Sequence, residues 1–319
     1  MPQSLSEYLD WLDDRTDLVW PKPPPVKPLK ATPACAPLPG LRAVTWNPYG
    51  TLLRIDTGHL HLIHPQPLRM QIALQKTIEE FRLWGSMSRK PGQPWEYLLQ
   101  QYTRLVEAAR LAGTGRKGDV PEVDAAAIWD KLLERLERNE YQYDRAQYGD
   151  RSELALKVAY FFHASLQGVE ANEGAAETLR HLRQGGVVVG LLGEGQAFTV
   201  AQMLRALRRQ RTIGSVGDVL MPDSGALSSA CGVRPPSPSL YEAAVKRFRR
   251  IGLTPEQVLH VSARLCDDLV PARQAGFRTA LLVADANCTQ VEKADLRDPQ
   301  KRPDRLLTAL PQVLQIVGL

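Results

Sequence analysis

Residues 43–53 read Ala43-Val44-Thr45-Trp46-Asn47-Pro48-Tyr49-Gly50-Thr51-Leu52-Leu53. An apolar run meets a polar side chain and then a Gly-Thr turn, the pattern of a strand that stops abruptly. Three later segments repeat the theme in order. The apolar run Val187–Leu192 ends in Gly193-Glu194-Gly195-Gln196. Residues 235–241 read PPSPSLY and lead into a helical pattern. Residues 258–277 read VLHVSARLCDDLVPARQAGF, a strand followed by two carboxylates and a helix.

Around these segments strands and helices alternate. Helices are expected at 174–184, 198–208, 239–250, 267–275 and about 303–316. Strands are expected at 187–192, 218–221, 258–262 and 279–284. Alternating units of this kind imply a parallel sheet with helices on both faces. After Thr57 the alternation is interrupted. Residues 58–168 are strongly helical, with segments at Pro67–Ser88, Pro94–Ala112, Val123–Tyr143 and Glu153–Gln167.

The four segments resemble, in order, the four motifs of the haloacid dehalogenase-like (HAD) hydrolases. The resemblance covers about residues 41–319. It implies an α/β fold, a Rossmann-like parallel sheet with helices on both faces, plus an inserted α-helical cap of the C1 type. The core would be 41–57 with 169–319, the cap 58–168, and 1–40 a tail. Tyr49, together with Val261, Ser262 and Asp267, looks nearer the dehalogenase-like branch than the phosphatases.

Each motif departs from the family pattern where the chemistry resides. Asn47 stands at the place of the nucleophilic Asp. An amide oxygen is neutral and a very poor nucleophile, whereas covalent catalysis of this type needs a carboxylate. Gly193 replaces the second motif's hydroxyl residue. Pro235 replaces the Lys and can neither carry charge nor donate a backbone hydrogen bond. Ser262-Ala263 replaces the Gly-Asp pair of the fourth motif. In active relatives carboxylates of the first and fourth motifs bind Mg²⁺, a hard cation that prefers oxygen ligands. Here only Asp267 and Asp268 remain as metal candidates. No cofactor is expected, and weak Mg²⁺ binding at most. Candidate ligand-binding residues are Asn47, Tyr49, Glu194, Gln196, Arg234, Ser262, Asp267 and Asp268.

Composition sets the remaining bounds. With 319 residues, 44% hydrophobic and 24% charged, the chain suits a large core with a second module. The net charge of +5 is mildly basic. Its basic runs, 205–211 and 246–250, fall on helices and lack the interleaved aromatics that stack on bases, so no nucleic acid is expected. Four cysteines without CxxC spacing argue against a metal knuckle or a disulfide framework. The amino end is acidic, no apolar run is long enough to span a membrane, and the expected compartment is the cytoplasm.

Three local features remain. In the tail, Ser4-Leu5-Ser6-Glu7 is a capping box opening a short helix over about 5–15. A proline-rich stretch follows, extended rather than helical. The tail is either an arm wrapped on its own domain or a docking helix on a spacer that recruits a protein partner. On the second reading residues 1–40 are dispensable for folding. His59, His61 and His64 follow the first motif where a hairpin flap is expected; on a strand His59 and His61 would share a face. Residues 113–118 spell GxGxxG but follow no strand, so they read as a loop.

The function expected is that of a HAD-like scaffold that has lost catalysis and serves a ligand-binding, regulatory or structural role. A small anionic or organic ligand in the core–cap cleft would fit the first of these. The alternatives are an active phosphatase or dehalogenase-like hydrolase with unconventional residues, and an assembly or targeting protein acting through its tail.

Overall fold

The structure, a computed structural model, describes residues 3–87 and 92–319. The chain opens with α1 (Leu5–Asp13), β1 (Ala43–Trp46) and β2 (Leu53–Ile55). The insert follows as α2 (Pro67–Glu80), α3 (Pro94–Arg110), β3 (Val120–Pro121), α4 (Ala125–Glu137), α5 (Arg145–Tyr148) and α6 (Arg151–Leu166). Next come β4 (Val169–Ala171), α7 (Ala175–Gln184), β5 (Val188–Gly193), α8 (Thr199–Arg208), β6 (Gly225–Leu227) and α9 (Ser228–Cys231). The chain closes with β7 (Val233–Arg234), α10 (Pro238–Arg250), β8 (Val258–Ser262), α11 (Val270–Gln274), β9 (Arg278–Leu282), β10 (Arg305–Leu307) and α12 (Gln312–Val317).

Six strands form one parallel sheet in the order β10-β9-β8-β1-β5-β6. β1 lies at its centre because all four of its side chains are buried, as a strand covered on both faces requires. Val44 is paired with Val189 on one side and Leu259 on the other. This register brings Asn47, Gly193 and Ser262 to the same carboxyl edge. The insert leaves from β2 and returns through β4, which pair antiparallel as a short ribbon. Its central helix α6 starts at a capping box made by Asp150 and Glu153 and is buried along nearly its whole length.

Several expectations are corrected. The strand expected at 218–221 is a 3₁₀ turn at Val216–Asp218, and the edge strand forms at Gly225–Leu227. Met221 N–H does reach Val189 O, at 2.8 Å. Pro222 then cannot continue the ladder, because it has no N–H to donate. The last helix, expected over 303–316, is instead strand β10 and the short α12. Pro311 separates them and disfavours helix at the residue before it. The helix after β8 begins with a π-helical turn, Leu265–Leu269. His59 and His61 do not lie on a strand: a 3₁₀ turn at Asp56–Gly58 ends the extended run, and irregular chain follows. The helix expected at Pro67–Ser88 ends at Glu80, with a 3₁₀ turn at Leu83–Ser86; Ser88 is outside the described residues.

The tail lies against the body. Tyr8, Leu9 and Leu12 of α1 are each at most 2% exposed and belong to the main hydrophobic core. Three large side chains of the segment are thus buried in the core, which favours the arm wrapped on its own domain over the docking helix on a spacer. The helix forms where the capping box places it, with Ser4 Oγ accepting from Glu7 N–H.

Candidate active-site centre

Asn47 follows the last residue of β1 and is fully buried. Its backbone N–H is fixed by Val261 O of the neighbouring strand at 3.0 Å. Thr51, in the turn, hydrogen-bonds through its hydroxyl to Asn47 O. The side chain is therefore aimed by a sheet edge and a tight turn. Its Nδ2 donates to Asp268 Oδ2 at 2.7 Å. Tyr241 Oη donates to the other oxygen, Oδ1, at 2.6 Å. His260 Nε2 lies 3.2 Å from the same Oδ1, off the hydrogen-bonding axis, while its Nδ1 sits 3.0 Å from Thr45 Oγ1. Burial works to raise the Asp268 carboxyl, but the adjoining His260 and the Arg264 charge outweigh it and hold the group well below the usual carboxylate range.

A second cluster lies beside the first. Glu194, next after β5, receives Arg264 Nη1 at 2.7 Å on Oε2. His59 Nδ1 lies 2.9 Å from that same oxygen and 2.6 Å from Arg264 Nη1. Leu60 N–H reaches Glu194 Oε1 at 3.3 Å, and Gln290 Nε2 is 2.6 Å from His59 Nε2. Burial alone would raise the Glu194 carboxyl; the hydrogen bond from His59 and the Arg264 charge lower it to about 2. Arg264 is buried, and its charge acts on Glu194 and Asp268 together. The two clusters meet at Arg264 along the edge of β5, β1 and β8: the Asn47–Asp268 cluster is buried, and the Glu194–His59 cluster is partly exposed.

Gly193 shows why the second-motif hydroxyl has no place here. Its φ is +130°, and a Cβ would sit 2.9 Å from Asn47 Cγ. Only glycine adopts such a backbone without strain.

The remaining candidates divide between the network and its surroundings. Ser262 Oγ accepts from Arg264 N–H at 3.1 Å, within the network. Ala263 is buried beside it and supplies no ligand atom. Tyr49 is buried but turned to α8, where its hydroxyl is 3.0 Å from Thr199 Oγ1 and donates to Gln202 Oε1 at 2.8 Å. Burial raises that phenol well above its ordinary value, so it stays neutral. Gln196 ties the insert to the core: its Oε1 accepts from Ala125 N–H at 2.8 Å, and its Nε2 donates to Val123 O at 3.0 Å. Arg234 is exposed on β7, whose partner is β3 of the insert, and Pro235 lies in the following turn. The segment at the place of the Lys motif thus serves as a backbone edge for the insert.

Asp267 is exposed while Asp268 is buried, so the two carboxylates do not converge. Among the described residues no group of three or more His, Cys, Asp or Glu is arranged to hold a metal. Both oxygens of Asp268 already accept, one from the Asn47 amide N–H and one from the Tyr241 hydroxyl. The donor set does not fit Mg²⁺. The histidines also separate: His59 joins the network, while His61 hydrogen-bonds Thr57 and packs edge-on against His64. Burial lowers both His61 and His64, favouring the neutral ring.

Sequence reasoning missed Arg264, His260 and Tyr241. Arg264 directly follows Ala263 at a strand end, and His260 interrupts an apolar strand; either was a usable signal. Tyr241 gave none, since an aromatic on a helix face usually means core packing.

No family model matches the chain. Among curated proteins it is 24% identical over 230 residues to the glyceraldehyde 3-phosphate phosphatase of Pyrococcus furiosus, covering 67% of this chain and 88% of the relative. It is 26% identical over 195 residues to (S)-2-haloacid dehalogenase 4A of Burkholderia cepacia, covering 55% and 79%. A solved 2-haloacid dehalogenase from Pseudomonas syringae pv. Tomato aligns over 87% of this chain and 98% of its own, with a TM-score of 0.49 at 19% identity. Among the described residues no helix is long and apolar enough to cross a membrane.

Proposed function

We propose that this chain, whose relatives point consistently to the haloacid dehalogenase-like hydrolases, retains that superfamily's scaffold without its catalysis. The observation that carries the reading is the bond from Asn47 Nδ2 to Asp268 Oδ2. The position of the nucleophile holds a neutral amide, and that amide is spent on the one buried carboxylate of the fourth motif. Glu194, His59 and Nη1 of Arg264 are likewise engaged with each other, while Nε and Nη2 of Arg264 are buried without a partner. Transition-state stabilisation requires donors and charges aimed at the reacting group, and here Asn47 Nδ2 and Arg264 Nη1 are engaged by carboxylates of the protein itself. Asn47 Oδ1, Arg264 Nε and Arg264 Nη2 are buried at this centre without a hydrogen-bond partner, so the reading covers a small ligand held there as well as a structural or regulatory role.

The curated relatives are a phosphatase and a dehalogenase, so the test covers both chemistries. Release of phosphate from simple phosphomonoesters and of halide from 2-haloacids is measured at neutral pH, with and without Mg²⁺. No turnover above background is expected. Activity that co-elutes with the protein and disappears in Asp268→Asn would overturn the reading.

A further inference from the structure

The chain passes from core to insert after β2 and returns between α6 and β4. The amino-terminal arm runs over this hinge and is anchored on both sides of it. α1 packs on α6 of the insert and α8 of the core together. Its Asp13 accepts from Arg205 of α8, with Nε at 3.0 Å from each carboxylate oxygen and Nη2 at 2.6 Å from one. The same guanidinium donates through Nη1 to Tyr160 of α6 and lies 5.3 Å from the Trp20 ring centroid. One buried arginine thus joins arm, insert and core. Arg15 extends the contact to Glu80 at the end of α2, at 2.6 Å.

Beyond Trp20 the proline-rich stretch crosses the hinge itself. The backbone of Lys22 and Pro23 lies directly on Gly168, where a Cβ would collide with Lys22 C and Pro23 N. Pro24 O accepts from Arg54 of β2. The arm then fastens to the core: Lys27 N–H to Asp285 Oδ1 at 3.0 Å, Ala286 N–H to Lys27 O at 2.8 Å, and Leu38 N–H to Ile316 O at 2.8 Å. Prolines suit this task. They keep the segment extended, lose little entropy on ordering, and leave their carbonyls free for outside donors.

We propose that residues 5–38 are a strap that fixes the insert on the core, with the Asp13–Arg205 pair as its buckle, so that release of the arm loosens the hinge. The strap does not depend on whether catalysis has been lost. It differs from an arm that merely adds stability, because it predicts loosening at β2 and β4, away from α1.

Two substitutions in the full chain release the strap at two separate points. Asp13→Asn removes the charge of the buckle while keeping the side chain's shape. Gly168→Ala forces a methyl group into the backbone of Lys22 without touching Asp13. Hydrogen exchange is followed by mass spectrometry, together with site-resolved alkylation of Cys288. That thiol is buried, and its Sγ donates to Ile55 O at the end of β2 at 3.3 Å. The expected result is at least tenfold faster exchange at 53–55 and 169–171, and at least tenfold faster alkylation of Cys288, in both variants. Exchange in β1, β5 and β8 should stay as in the parent. Faster exchange confined to α1 and the arm, with the ribbon and Cys288 unchanged, overturns the proposal. If one variant loses protection in the central sheet the other carries the test. Loss of the central sheet in both also overturns it, since the hinge would then not be separable from the fold.

Discussion

Asn47→Asp restores the carboxylate of the first motif and puts the reading of the centre at risk. In the parent, Nδ2 donates to Asp268 Oδ2 at 2.7 Å in a fully buried setting. The substitution is nearly isosteric but sets two carboxylates in hydrogen-bond contact. If both ionise, two like charges about 4 Å apart repel by about 4 kcal/mol at an effective dielectric of about 20. If one takes a proton, it should be the introduced carboxyl, because Asp268 is held well below the usual range. Keeping a group of ordinary pKa about 3.9 protonated at pH 7 costs about 4 kcal/mol, at about 1.4 kcal/mol per unit. Both routes give the same size. The sign follows from linkage. The folded pKa of the introduced carboxyl is raised above its unfolded value, so the cost is absent below about pH 3.9 and grows by about 1.4 kcal/mol per unit as pH rises. Denaturant unfolding of parent and variant at pH 5, 6 and 7 should show the gap widening from about 1.5 to about 4 kcal/mol. A variant as stable as the parent at pH 7, with no dependence of the gap on pH, would refute the claim that Asn47 is locked to Asp268.

Three further outcomes are expected. Gly193→Ser should restore no phosphatase activity and should lower stability by about 1–3 kcal/mol from backbone strain alone, measured by thermal melting; a neutral effect would mean the chain there is not held at its positive φ. Glu194→Gln removes the carboxylate hydrogen-bonded to the buried Arg264, leaving only the more distant Asp268 charge, and should cost about 3 kcal/mol near pH 7. Because the Glu194 carboxyl is lowered to about 2, its contribution is present above about pH 4.3 and is lost as pH falls toward 2, so the variant's acid unfolding should lack that part of the parent's slope. Removal of residues 1–14 should destabilise by about 5 kcal/mol or more, at about 1.5–3 kcal/mol for each of Tyr8, Leu9 and Leu12, and an unchanged melting temperature would show that α1 contributes nothing to the core.

Much of the architecture was legible because it rests on local patterns. The strand at Val258–Ser262 and the helix expected over 239–250 follow from apolar periodicity with turn residues at their ends, and the structure has them at Val258–Ser262 and Pro238–Arg250. Periodicity failed where a proline decided the outcome. Arg305–Leu307 fits a helical pattern as well as a strand, and only the free edge of β9, together with Pro311 breaking the run, makes it β10. The edge strand near residue 220 moved for the same reason at Pro222. The arm was ambiguous because an amphipathic helix announces that it has an apolar face, not what that face meets.

At the centre, the division is one of covalent identity against contact. That Asn47 has no ionisable oxygen, that Pro235 has no charge and that Gly193 has no hydroxyl are properties of single residues, complete in the sequence. That the Asn47 amide is spent on Asp268, 221 positions away, and that Glu194, Arg264 and His59 share one ion pair, are not. A buried polar group must find a partner or bear the cost of desolvation. Which partner it finds depends on which strand ends the sheet places side by side, and only the assembled β5-β1-β8 edge decides that.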